Sequence, residues 1–158
     1  MEDPHESIKQ KQIKESLKYM NHKPSKCKKV YWIYATRKFG TYPESTPESG
    51  KFLIFCPPNE INDIWSKIKD LTERGLLGDA SKVSTKIAYK IRKHQNKTFD
   101  QHVICVYTYS DLDTVDKDRI KQNIFGIVGH RNIYYKTNKQ TLAHINNHTN
   151  IVNHEPIV

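Results

Sequence analysis

Apolar residues fall into two rhythms along this chain. Residues 30–35, Val-Tyr-Trp-Ile-Tyr-Ala, are β-branched and aromatic, which predicts a strand. Residues 51–56 predict a second strand, ended by Pro57 and Pro58. The rhythm then changes. Ile61, Ile64, Trp65, Ile68 and Leu71 recur at helical spacing behind Asn59 as N-cap, and Gly75 stands where a helix-ending glycine belongs. Residues 80–86 predict a third strand with a continuation toward Ile91, and 93–101 a polar loop. Residues 102–109 form the strongest strand signal. Ser110 or Asp111 then caps a second helix, with Val115, Ile120, Ile124 and Phe125 toward the core and Gly126 and Gly129 at its end. Residues 131–136 predict the fifth strand.

The flanks are polar. Residues 1–29 form a Lys-rich N-terminal segment in which Ile8, Ile13, Leu17 and Met20 line one side of a short helix, with imperfect periodicity, before Pro24 breaks it. Residues 40–50 read as a loop. Residues 146–158 are an Asn- and His-rich tail, expected to fray. A single domain over 30–145 follows, with no internal repeat. Short strands interspersed with two amphipathic helices predict an α+β fold: a twisted, mainly antiparallel sheet with helices packed on one face. The other face is then left uncovered.

Side chains alternate across a strand, so the face of each residue is legible. Trp32 and Tyr34 share a face of the first strand, Lys82 and Ser84 of the third, Tyr134 and Lys136 of the fifth. Their neighbours Ile33, Val83 and Ile133 are apolar and suit the helix-packed side. The uncovered face thus collects flat rings, ammonium groups and a hydroxyl. Rings stack bases, Lys neutralises phosphate, and hydroxyls donate to phosphate oxygens. The same residues are also ordinary for a solvated strand face, since aromatic residues favour strands.

Charge sharpens this picture. The 158 residues carry 26 Lys and Arg against 17 Asp and Glu, a formal net charge of +9. A basic chain is drawn to polyanions. An AT-biased genome also yields Lys-rich chains, and only Arg37, Arg74, Arg92, Arg119 and Arg131 are arginines. Position is more telling than the total. Both predicted helices are slightly acidic, so the excess within 30–137 falls on strands and loops. Its carriers include Arg37, Lys38, Lys51, Lys82, Lys86, Lys90, Arg92, Lys93, Lys97, Arg131 and Lys136. The face opposite the helices and its rim are therefore expected to be basic.

Other chemistry is thin. Cys27, Cys56 and Cys105 are odd in number and widely spaced, which excludes a zinc motif and a disulfide framework. Such usage suits a reducing compartment, cytoplasm or nucleus. No apolar run approaches the roughly 18–20 residues of a membrane span, mean hydropathy is −0.77, and the first residues lack the pattern of a secretory signal. His144 and His148 would share a helix face without a third ligand, so no metal is expected. There is no Walker motif, nucleophile elbow, HExxH or Gly-rich dinucleotide loop, and no cofactor is expected. Trp65, between Ile61 and Ile68, reads as core.

Several strings together carry a resemblance. Gly50-Lys51-Phe52-Leu53-Ile54-Phe55 leads through Pro57 into the Trp65 helix. Gly75-Leu76-Leu77-Gly78, Ala80-Ser81-Lys82-Val83-Ser84-Thr85, the strand His102-Val103-Ile104-Cys105-Val106-Tyr107-Thr108, Asp111 and Tyr134-Tyr135-Lys136-Thr137 follow in order. Over residues 30–145 the chain resembles the eukaryotic basophilic-leukaemia-expressed protein family. The resemblance implies a fold like that of the cap-binding translation initiation factors, a curved antiparallel sheet with helices on its convex back. Those factors hold a capped RNA end between two Trp rings. With only Trp32 and Trp65, and Trp65 as core, such a sandwich is not expected here. The family has also been likened to phosphothreonine lyases, in which case Lys82, Lys136 and His102 would be cast as base, phosphate contact and acid.

Three expectations follow. The first is a binding module for RNA or a phosphorylated nucleotide. In it Lys82 and Lys136 meet phosphate, Ser84, Thr85 and Thr108 supply hydroxyls, and Trp32, Tyr34 and Tyr134 stack bases. The second is a lyase or phosphoesterase acting on a phosphorylated small molecule or phosphoprotein, which requires Lys82 and Lys136 to converge with His102 or Asp111 in reach. The third is a protein-interaction scaffold, which requires an exposed apolar patch.

Overall fold

The structure, a computed structural model, describes residues 7–129, 131 and 133–147. Its elements run α1 (Ile8–Leu17), β1 (Trp32–Thr36), β2 (Gly50–Cys56), α2 (Ile61–Glu73), β3 (Ala80–Ser84), α3 (Lys86–Gln95), β4 (His102–Thr108), α4 (Thr114–Val128), β5 (Ile133–Thr137) and α5 (Asn138–Asn147). The five strands make one curved open sheet in the order β1-β3-β4-β2-β5. Every pairing is antiparallel. This is the α+β class that the pattern predicts.

Strand parity decides which residues meet the helices. Ile33, Phe52, Ile54, Val83, Ile104, Val106 and Ile133 point to one face, where Ile61, Ile64, Trp65 and Ile68 of α2 and Ile120 and Ile124 of α4 cover them. Each fully buried aliphatic side chain there contributes about 1.5–3 kcal/mol. Trp65 is 3% exposed and belongs to this core, as its spacing predicts. Gly75 ends α2 at φ +78°, and a Cβ there would lie 2.4 Å from the Phe39 carbonyl oxygen. Only glycine satisfies both demands.

Several details differ from the sequence reading, the first being that the N-cap of α2 is Glu60, with no side-chain cap, where Asn59 is expected. Residues 86–95 are helix α3, where continuation of the third strand and a loop are expected. Ala88 is fully buried, and Arg92, Lys93 and His94 occupy the last turn, where cations meet the carbonyl end of the helix dipole. The cap of α4 is Asp113, whose side chain accepts from the Asp116 N–H, so the helix begins later and Val115 is 80% exposed. Gly126 lies inside α4, and Gly129 at φ +65° ends it. Finally, α1 does not dock through an apolar stripe, for Ile8 and Leu17 are exposed. It docks through Ser16, fully buried, whose hydroxyl accepts the Tyr34 N–H of β1 at 3.2 Å and donates to the Ile13 carbonyl.

The uncovered face is not bare at its margins. Gln12 of α1 accepts from the Tyr34 hydroxyl at 3.2 Å. Arg92 of α3 lies 5.6 Å from the centre of the Trp32 ring. Two helices thus frame the concave face beside β1. The tail from 148 onward and the His144 side chain lie outside the described residues, and with them the paired-histidine reading. Among the described residues no cluster of His, Cys, Asp or Glu is suited to a metal, and no helix is long and apolar enough to cross a membrane.

Candidate functional site

Register builds the concave face row by row. Across the middle, Tyr34 opposes Lys82, Lys82 opposes Cys105, Cys105 opposes Leu53, and Leu53 opposes Tyr134. One row toward one end, Trp32 opposes Ser84, and Phe55 opposes Val103. One row toward the other, Lys51 lies between Tyr107 and Lys136. Trp32, Tyr34, Lys82, Ser84, Tyr134 and Lys136 therefore do share one face. The apolar members Leu53, Val103 and Cys105, with Trp32, Phe55 and Tyr134 against them, form a small second cluster that serves as its floor.

A pocket of about 130 Å³ opens on this floor, lined by Trp32, Leu53, Val103, Cys105 and four cations: Lys51, Lys82, Arg92 and Lys136. No carboxylate lines it. None of the four cations has an ion-pair partner among the described residues, although Lys38, Lys67, Arg74, Lys93, Lys117, Arg119, Lys121, Arg131 and Lys139 all do. Lys51 and Lys136 stand directly opposite one another in the β2–β5 ladder. Like charges so placed destabilise a sheet.

What compensates the cations is aromatic. The Lys82 ammonium lies 4.1 Å from the Trp32 ring centre and within 5.9 Å of the Tyr34 and Tyr107 centres. Ring faces attract cations with roughly 0.5–2 kcal/mol, which is less than a buried unpaired charge costs. Burial lowers the pKa of Lys82 from 10.5 to about 8, and its cationic neighbours Lys51, Lys9 and Arg92 add to the shift. Lys136, 8% exposed, is lowered by burial first and by Lys51 second. Lys9 of α1 reaches in from the rim, 4.0 Å from the Tyr107 centre, and burial lowers it too. A second pocket of about 150 Å³ adjoins along Trp32 and Tyr34, with Tyr31, Val30, Gln12 and Glu15 as its other walls.

The remaining predicted residues are placed otherwise. Ser84 is on the concave side but 1% exposed, and its hydroxyl accepts the Val103 N–H at 2.9 Å. Thr85 is fully buried and donates to the Val30 and Tyr31 carbonyls, so its hydroxyl ties β3 to the segment before β1. Thr108 has the parity of Ile104 and Val106 and shares a 2.8 Å hydrogen bond with the Tyr135 hydroxyl on the helix-packed side. Neither threonine reaches the pocket. Tyr34 is 3% exposed and its hydroxyl is engaged with Gln12, so its ring is part of the wall and is covered. Tyr134 stands on the β5 side of the floor, edge-on to Phe55 at 6.2 Å.

His102 does not reach it either. Its Nδ1–H donates to the Ser84 carbonyl at 2.8 Å and its ring stacks on Tyr89. Asp111 is engaged with the Lys117 ammonium at 2.6 Å. Sequence reading missed Lys9 and Tyr107 as members of this face, and counted Lys51 and Arg92 among the carriers of its basic charge but not among its binding residues. Lys51 shares parity with Leu53 and Phe55, but β2 is apolar on both sides, so parity alone did not assign it a face. Arg92 and Lys9 arrive from helices, which strand parity does not place.

Comparison with solved structures gives the fold. A schistosome eIF4E, complexed with m7GpppA and 4E-BP, superposes with a TM-score of 0.54 at 12% identity, over 83% of this chain and 73% of that one. Ascaris suum eIF4E-3, complexed with an m2,2,7G cap, does so with a TM-score of 0.51 at 12% identity, over 92% and 79%. No curated protein matches the chain. A family model does, over residues 6–143, which span α1 and all five strands. This chain belongs to the family of basophilic leukemia-expressed protein Bles03.

Proposed function

We propose that the concave face binds RNA or a phosphorylated nucleotide, with phosphate among Lys51, Lys82, Arg92 and Lys136 and the base against Trp32. The observation that carries this reading is the group of four cations around one pocket with no carboxylate to neutralise them. A fold tolerates such a cluster where a ligand supplies the missing charge. Trp32 links the cationic pocket to the adjoining aromatic one, so a base leaving the phosphate has a ring to stack on. The solved eIF4E structures that share this fold are complexes with cap nucleotides, which agrees with a nucleotide ligand.

A two-Trp cap sandwich forms no part of this reading, because Trp65 is in the core on the far side of the sheet. A lyase needs an acid beside its base. Lys82 and Lys136 do converge, and a Lys82 pKa of about 8 suits a base. The two groups proposed as partners, His102 and Asp111, are committed elsewhere. Binding therefore stands ahead of turnover.

The test is fluorescence anisotropy of a labelled short oligoribonucleotide between 50 and 200 mM salt, a range chosen from the usual behaviour of such complexes. The expected result is affinity that falls as salt rises, with a log–log slope of about −0.7 for each phosphate neutralised on the single strand. Absent binding at micromolar protein, or binding indifferent to salt, overturns the proposal.

A further inference from the structure

We propose that the cationic pocket recognises a phosphate monoester, the terminal phosphate of an RNA strand or nucleotide, in preference to the phosphodiester of a strand interior. This rests on the nucleotide-binding reading above and specifies which phosphate the site takes.

Charge is the first argument. Four cations converge on one small volume, and Lys51 and Lys136 are held directly opposite each other in the ladder. A diester brings a single negative charge, whereas a monoester brings about −1.5 to −2 near neutral pH. The second charge is worth most where water is scarce, and Lys136 is 8% exposed. Lys9 on the rim adds a fifth cation to the same field, since it lowers the pKa of Lys82.

Size is the second. The pocket holds about 130 Å³, against roughly 300–1,000 Å³ for sites that enclose a whole drug-sized ligand. It accommodates a phosphoryl group and little more. A diester must leave such a pocket in two directions, and a terminal phosphate in one. The adjoining pocket, which shares Trp32 with this one, offers a largely apolar surface to whatever the phosphate carries.

The floor is the third. Leu53, Val103 and Cys105 close it; Leu53 and Cys105 are paired in the ladder on both sides, and the Val103 N–H is taken by the Ser84 hydroxyl. The floor thus offers no free main-chain N–H to read a base edge. The pocket is thus selective for charge rather than for sequence. Because Lys82 is held near pH 8 by its surroundings, a bound dianion returns it toward its ordinary range. Binding above neutral pH is accordingly accompanied by proton uptake.

Three oligoribonucleotides of one sequence test this: one with a 5′-monophosphate, one with a 3′-monophosphate and one with hydroxyls at both ends. Affinities are measured for the full chain by anisotropy at pH 7.5 and 5.5. At least one phosphorylated end should bind tenfold or more tighter than the hydroxyl form at pH 7.5. The advantage should shrink at pH 5.5, below the second phosphate pKa of about 6. Lys82→Met should reduce it to under threefold, and Lys51→Met offers the same readout should the first variant misfold. Equal affinity of all three strands, with the salt dependence kept, overturns the monoester inference and leaves the RNA reading standing. Absence of binding by all three overturns both.

Discussion

The two faces of the sheet treat charge in opposite ways. On the helix-packed face, cations of α2 and α4 sit one turn from their carboxylates: Lys67 with Asp63, Arg74 with Asp70, Arg119 with Asp116, Lys121 with Asp118. The Lys67–Asp63 and Arg74–Asp70 pairs are solvent-facing and contribute little, about 0.3–0.5 kcal/mol each. On the concave face, Lys51, Lys82, Arg92 and Lys136 share a pocket with no acid at all. The sequence is not short of acids. It places them elsewhere. One face has been made neutral and stable by local pairing, and the other left charged and unsatisfied. The difference separates a surface that only holds the fold together from one shaped for an incoming anion.

Substitutions on the two faces should therefore behave differently. The largest effect belongs to the core. Ile68→Ala or Ile104→Ala, each fully buried, should destabilise by about 2–5 kcal/mol in urea unfolding, with no change in the salt slope of whatever binding survives. Next comes charge reversal. Lys82→Glu should weaken RNA or nucleotide binding at least a hundredfold by anisotropy, while Lys67→Glu on α2 should leave it within twofold. Equal losses at both positions would mean that total charge, not the pocket, attracts the ligand.

Removing the charge without reversing it reads the other side of the same ledger. Lys82→Met should stabilise the ligand-free protein by about 1–3 kcal/mol, because an unpaired charge no longer has to be buried. In the unmodified protein the sign is set by a folded-state pKa of about 8 against 10.5 unfolded. Between these values the unfolded chain holds the proton and the folded one does not, so stability should rise as pH rises from about 8 to 10.5. Lys82→Met should flatten that rise in a pH series of thermal melts. The smallest effect is expected at an exposed pair: Lys67→Ala should change stability by less than about 0.5 kcal/mol.

Much of this was legible in the chain. The β-branched runs located all five strands, and parity alone put Trp32, Lys82 and Lys136 on one face. It failed where a strand is apolar on both sides. In β2, Phe52, Ile54 and Cys56 face the helices while Leu53 and Phe55 line the floor, and β4 repeats this with Val103 and Cys105. Central strands give no polar alternation, so Lys51 had no legible side until its neighbours were known. Helix α3 was hidden for a different reason. Ile87 and Ile91 are β-branched and follow a strand, and the one buried residue that makes the segment helical is an alanine. With α3 unread, Arg92 had no route to Trp32. Thr108 shares parity with Val106, and in a strand apolar on both sides that parity did not reveal that its hydroxyl faces away.

The seat of α1 has a consequence for how this protein avoids its own copies. Strand β1 is an edge of the sheet, and edges offer unpaired N–H and C=O groups to any extended segment that drifts past. The buried Ser16 hydroxyl takes one of those groups, the Tyr34 N–H, out of circulation. Gln12 holds the Tyr34 side chain beneath the helix. A short polar helix thereby blocks strand-to-strand addition at a point where the sheet would otherwise template it. Protein in which Ser16→Pro unseats α1 should accumulate as oligomers at concentrations where the intact chain stays dispersed, with light scattering as the measure.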